Sequence, residues 1–163
     1  MGKFNYTEKE NHILFWNGHF SNWYPAPFVL DGMKFNCAEQ YMMYMKAKTF
    51  GDQSSMTLIM NAANPAHQKR LGKAVANFNP VKWDEVKEDI VYDACLAKYS
   101  QDKDLGDELV KTGGKILVEA SPYDTIWGIG MGELDPDATD ETKWKGQNLL
   151  GKALMRVRDY LMK

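Results

Sequence analysis

A glutamate and a lysine seven residues apart, Glu39 and Lys46, stand in a run from Cys37 to Lys48 that holds no glycine or proline. Seven residues are two helical turns, so on a helix both side chains project from one face about 10 Å apart along the axis, and one ligand could touch both. Met42 and Met43 lie between them. An ammonium flanked by apolar side chains and partly removed from water has its pKa lowered, and an amine that is neutral near pH 7 is a nucleophile. The same spacing also suits a capping glutamate and a lysine that snorkels along a surface helix.

Other residues offer binding rather than bond making. The glycine-interrupted stretch Trp127-Gly128-Ile129-Gly130-Met131-Gly132 and the triplet Gly146-Gln147-Asn148 could bring backbone close to a phosphate or sugar. The second of these opens the last helix, where N–H groups and the macrodipole attract anions. Those glycines would equally serve turns and a bulge. Lys69, Arg70 and Lys73 form a basic cluster that could hold a phosphate or simply face water, and Glu119 and Asp124, flanking a turn, are candidate acid/base carboxylates or surface groups. A long aromatic segment, Asn17 to Pro27, carries His19, Phe20, Ser21, Asn22, Trp23 and Tyr24. Such loops often touch ligands, although many of their rings close a core from outside.

The elements that must position these groups follow from pattern. Ile13 to Trp16 is a short apolar run, and Phe28-Val29-Leu30 is joined to Met33-Lys34-Phe35 by Asp31-Gly32. That dipeptide predicts a two-residue type I′ hairpin, because both of its residues need φ > 0. Asn36 followed by Glu39 predicts a capping box opening a helix over 37–48. Further helices are predicted over 54–63, over 64–77 with Asn64-Pro65 as N-cap and N1, over 83–99 on the apolar face Trp83, Val86, Ile90, Ala94 and Ala97, and over 104–112 before Gly113-Gly114. A second β-like stretch spans 116–120, with another over 125–130. Residues 131–146, rich in Asp, Thr, Gly and Pro, read as a functional surface loop. The last helix covers about 147–162. Strand, several helices, strand, helix predicts one helix-rich α+β domain over 1–163 with a small β component.

Composition limits the function classes. At 163 residues with 44% hydrophobic and 12% aromatic content, the chain can bury roughly 70% of its unfolded surface without staples. No run of about 18 apolar residues exists, and the polar segment Met1 to Asn11 lacks a signal-like apolar stretch, so a membrane or secreted protein is not expected. Two cysteines and three histidines at scattered positions give no zinc spacing, which predicts no metal and a reducing, cytoplasmic setting. A net charge of -2 offers no broad basic footprint, so stable non-specific DNA binding is not expected.

Five blocks in order carry a family resemblance: Phe15-Trp16-x-Gly18-x-Phe20-Ser21-Asn22-Trp23-Tyr24-Pro25; Asn36-Cys37-Ala38-Glu39-Gln40-Tyr41-Met42-Met43 with Lys46-Ala47; Leu71-Gly72-Lys73; Asp124-x-Ile126-Trp127-Gly128-Ile129-Gly130; and Trp144-x-Gly146-Gln147-Asn148-Leu149-Leu150-Gly151. From about Phe15 to Arg158 the sequence resembles the NADAR family (NAD and ADP-ribose related, also called YbiA-like). The resemblance implies an α+β fold, no metal or cofactor, and hydrolysis of the bond between ribose C1 and a nitrogen. The implied partner is a phosphorylated ribosyl small molecule, either a riboflavin-pathway ribosylamino-pyrimidine phosphate or an ADP-ribosylated guanine, possibly within nucleic acid. It places a Schiff-base lysine at Lys46, with Glu39 or Asp124 as acid/base. The substrate would be met by Phe20, Ser21, Asn22, Trp23, Tyr24, Lys73, Trp127, Gly128, Gly130, Gly146 and Asn148. Bacterial riboflavin-type members carry an acidic residue where this chain has Ile129, which tilts the expectation toward an ADP-ribosyl substrate. The alternative is a non-catalytic module that binds ADP-ribose or a related nucleotide.

Overall fold

The computed structural model describes residues 5–163, so the first four positions of the polar segment Met1–Asn11 lie outside the described residues. In chain order the elements are β1 (Thr7–Glu8), β2 (His12–Phe15), β3 (Phe28–Leu30), β4 (Met33–Phe35), α1 (Ala38–Thr49), α2 (Gln53–Asn61), α3 (Pro65–Lys73), α4 (Pro80–Gln101), α5 (Lys103–Lys111), β5 (Ile116–Glu119), a 3-10 turn (Glu141–Lys143) and α6 (Leu149–Leu161). The fold is α+β, as the pattern predicts. The chain forms two compact units, one of Pro25–Gln101 and one joining the residues up to Tyr24 with Asp102–Lys163. Among the described residues no helix is long and apolar enough to cross a membrane.

In the Pro25–Gln101 unit, β3 and β4 pair antiparallel with Leu30 opposite Met33. Asp31 (φ 52°) and Gly32 (φ 77°) both occupy the left-handed region, the geometry a type I′ turn demands. The hairpin delivers Phe28 and Phe35, whose rings lie 5.8 Å apart, and Tyr41 of α1 meets Phe35 edge-on at 5.0 Å. Helix α1 packs against α2, α3 and α4.

The entrance to α1 differs from a capping box. Its N-cap is Cys37, which makes no side-chain cap bond. The Asn36 N–H that the box would give to Glu39 donates instead to Gln40 Oε1 at 2.8 Å. The Asn36 amide is used elsewhere, donating to the Ala63 carbonyl (3.1 Å) and accepting from Gln68 (3.0 Å). Asn64 does cap α3, accepting the His67 N–H at 2.9 Å, but that helix stops at Lys73, and Asn77, at φ 61°, has left the helical region. Asn79 then caps α4, its Oδ1 accepting the N–H groups of Val81 and Lys82.

In the other unit, β2 lies between β1 (antiparallel) and β5 (parallel). Leu14, Val118, Ala120, Ile129, Met131 and Ala138 form a buried cluster, with Ile116 and Trp144 packed against it. Burying an aliphatic side chain of this size contributes roughly 1.5–3 kcal/mol. One sequence expectation is corrected in this unit. Residues 125–130 form no strand: the carbonyls of 125–129 accept amides from 145 and 147–150, the approach to α6 and its first turn. Residues 131–146 are an irregular segment lying mostly at the surface, as expected, with Met131 and Ala138 anchoring it in the core and Trp144 Nε1 donating to the Ala138 carbonyl at 2.8 Å.

Candidate functional site

Helix α1 carries the reactive pair. Glu39, in its first turn, is 5% exposed, and Lys46, in its last turns, is half-buried. Burial pushes the Lys46 amine below its ordinary value of 10.5; the Glu39 carboxylate opposes this shift, and the Lys73 ammonium adds to it. Dehydration therefore outweighs the paired charge, which is the balance a nucleophilic amine needs.

Two rings complete the surroundings of that amine. Lys46 Nζ lies 4.6 Å from the ring centroid of Phe78 and 5.9 Å from that of Trp83. Phe78 stands in the link between α3 and α4, and Phe50, just past α1, meets it edge-on at 5.4 Å. The link is pinned: Asp52, the N-cap of α2, also accepts the Ala76 N–H at 2.8 Å. The sequence marks Trp83 only as one apolar position of α4, and the expected site residues do not include Phe78. A pointer to it existed in Asn77-Phe78-Asn79-Pro80, an aromatic set among turn and cap residues where no core face calls for one.

Lys69, Arg70 and Lys73 are exposed along α3. Both cysteines are buried and unpaired with each other; burial raises the Cys37 thiol to about 11, and its Sγ faces Gln68 Oε1 at 3.2 Å. A thiol so poised is not a nucleophile at neutral pH.

In the other unit the sequence-selected residues divide. Phe20 is 1% exposed and packs on His19 (3.9 Å between centroids) and Phe15 (5.5 Å), a core position. Ser21 and Asn22 are buried, and Ser21 Oγ accepts the Trp23 N–H at 3.1 Å. Trp23 is exposed, and Tyr24 and Trp127 are partly so, leaving ring surface that a base could meet. Asp124 Oδ1 accepts the N–H groups of Ile126 and Trp127, both at 2.9 Å, so this carboxylate shapes the turn that presents Trp127.

The expectation that the start of α6 holds a phosphate meets amides already in use. Asn148 N–H donates to the Gly128 carbonyl (3.1 Å), Leu149 to Ile126 (3.2 Å) and Leu150 to Trp127 (3.1 Å). Asn148 is 1% exposed at φ 55°; its Oδ1 accepts the Glu119 N–H and its Nδ2 donates to the Leu117 carbonyl, both at 2.9 Å. Gly146 is needed for contact between backbones, because a Cβ there would overlap the Gly128 carbonyl oxygen. Gly128, Gly146 and Asn148 thus interlock, the Gly128 carbonyl and the Asn148 N–H and side chain being bonded within the protein. Gly130, at φ 74°, lies in a bend, its N–H donating to the Asp124 carbonyl at 3.2 Å. A cleft of about 460 Å³ in this unit, lined by Lys9, His12, Glu133, Asp135 and Thr139 among others, includes none of the sequence-selected residues.

Residues 6–162 match the NADAR domain. The chain is 46% identical to the N-glycosidase R617 of Acanthamoeba polyphaga mimivirus, over 86% of this chain and 85% of that one. It is 39% identical to the protein irg-1 of Caenorhabditis elegans (87% and 74% covered) and 30% identical to the N-glycosidase YbiA of Escherichia coli (88% and 81% covered). The solution structure of E. coli YbiA superposes with a TM-score of 0.77 at 27% identity, covering 98% of this chain and 89% of that one.

Proposed function

Because this chain belongs to the NADAR family, we propose that it is an N-glycosidase that hydrolyses the bond between ribose C1 and a nitrogen through a Schiff base on Lys46. The observation that carries the reading is the half-buried Lys46 amine, dehydrated enough that its pKa falls although Glu39 lies on the same helix. The preferred substrate is an ADP-ribosyl group on guanine, with ribosylamino-pyrimidine phosphates as the other candidate class.

The reaction divides into steps that these side chains can serve. Proton donation to the ring oxygen opens the sugar and leaves C1 doubly bonded to the base nitrogen as an iminium. The lone pair of neutral Lys46 Nζ bonds to C1; a proton passes from Nζ to the base nitrogen, which then departs with the electrons of its bond to C1. An imine of C1 and Nζ remains. Water adds to C1, Nζ leaves with its bonding pair, and the free sugar is released. Glu39 is the assigned acid/base, being the carboxylate whose field reaches the amine. Asp124 Oδ1 is engaged by two backbone N–H groups, which makes it the weaker candidate.

The test is release of the free base from ADP-ribosylated guanosine and from a ribosylamino-pyrimidine phosphate, followed by chromatography, with borohydride added in a parallel reaction. Base release with a reduced sugar adduct on Lys46 supports the proposal. Tight binding of ADP-ribose without base release would make the protein a binding module instead.

A further inference from the structure

We infer that the ring faces of Phe78 and Trp83 form a cradle for the positive charge of the imine on Lys46, favouring the protonated form that water attacks. This rests on the Schiff-base reading and assigns roles to two residues outside the family-matching blocks. The geometry is direct: both rings lie within cation–π range of Nζ, at 4.6 and 5.9 Å from their centroids.

The chemical argument concerns what changes when the amine becomes an imine. A free ammonium has three N–H donors, whereas a protonated imine has one, so hydrogen bonding supports the charge less after C1 is attached. A ring face attracts the cation without a donor and contains no basic atom that could remove the remaining proton. That distinction matters because loss of the proton leaves a neutral imine, which water attacks poorly. An interaction that counts for more on the intermediate than on the resting ammonium is the kind that accelerates turnover. Phe78 is suited to this work: 43% exposed, it is held by Phe50 and by the pinned link between α3 and α4, so its face stays at the amine while sugar enters from solvent. Trp83, at 9% exposed, is the fixed wall.

The experiment uses ribose 5-phosphate as the aldehyde probe and cyanoborohydride, which reduces only protonated imines, with the adduct mapped by mass spectrometry across pH. Phe78 is replaced by mono-, di- and trifluorinated phenylalanine, which keep the ring shape while weakening its negative face, and by Leu; melting temperature is recorded for each. The expected result is a stepwise fall in Lys46 trapping on the alkaline side of the profile, with the alkaline limb moving to lower pH and the melting temperature unchanged along the fluorinated series. Loss of the ring's electrostatic attraction across the whole fluorinated series should lower trapping roughly two- to fivefold. Phe78→Leu should resemble the trifluorinated variant. Equal trapping and an unmoved alkaline limb across the series overturn the cradle while leaving Lys46 as the nucleophile. Absence of a Lys46 adduct in the unmodified protein overturns the Schiff base itself, and the cradle with it.

Discussion

The carboxylate of Asp52 spans two elements, capping α2 through the Ser55 N–H at 3.1 Å and gripping the Ala76 N–H at 2.8 Å. These bonds hold its pKa below 3.8, the Ala76 N–H contributing most. A depressed carboxylate pKa stabilises the fold above the unfolded value and ceases to do so as pH falls through the folded value. Asp52→Ala should therefore lower the melting temperature by a few degrees at neutral pH, and the difference from the native protein should shrink below about pH 4. Thermal melts of both proteins across pH measure it.

Lys46→Ala and Lys46→Arg should each reduce base release by at least about 10³-fold, since removal of a nucleophile is not shared out among its neighbours. Arginine stays protonated and cannot attack carbon. Neither variant should bind ADP-ribose much more weakly, which calorimetry would show. Lys46→Met should not be less stable than the native protein at pH 7, because the buried ammonium is a cost to the fold. That cost fades as pH rises through the folded pKa toward 10.5, so the native protein should gain on Lys46→Met over that interval.

The pH–rate profile should rise along a limb set by Lys46, with a midpoint below 10.5. Lys73→Ala removes a like charge and should move the limb to higher pH. Glu39→Gln removes the opposing carboxylate and should move it to lower pH, while also lowering the plateau if Glu39 is the acid. Initial rates of base release over pH, at saturating and limiting substrate, separate these outcomes.

Asn148→Ala should destabilise the protein by about 2–4 kcal/mol, since it strands the Glu119 N–H and the Leu117 carbonyl and places alanine at positive φ. Gly151→Ala should be at least as damaging, because its Cβ would overlap the Leu117 carbonyl oxygen. Urea denaturation of each variant tests both. An Asn148→Ala protein with native stability but weakened ADP-ribose binding would restore the ligand role read from sequence.

Legibility in the sequence followed the range of the cause. Asp31-Gly32 specifies its turn through two adjacent backbone conformations, and the apolar periods of α4 and α6 are written in neighbouring residues, so these elements were readable. The Asn36 spacing suggests a capping box that does not form, because Gln40, not Glu39, takes its N–H, while the Asn36 amide turns to residues beyond α2. Residues 125–130 read as β-like from their apolar and glycine content, yet the carbonyls of 125–129 accept amides from 145 and 147–150, which no local pattern announces. In the candidate site, Glu39 and Lys46 could be paired by helical arithmetic. Phe78 reaches Lys46 through a link whose course is set by Asp52 and Asn79, and chain-distant restraints of that kind leave little trace in spacing.

The bonds between 125–130 and 145–150 also make these two segments a single heritable cassette. A change at Gly128 or Ile126 alters the surface on which Gly146 and Leu149 sit, so substitutions on one side should survive only with matching substitutions on the other. Chimeras with relatives should exchange both segments together, whereas a graft of either alone would bring mismatched backbones into contact.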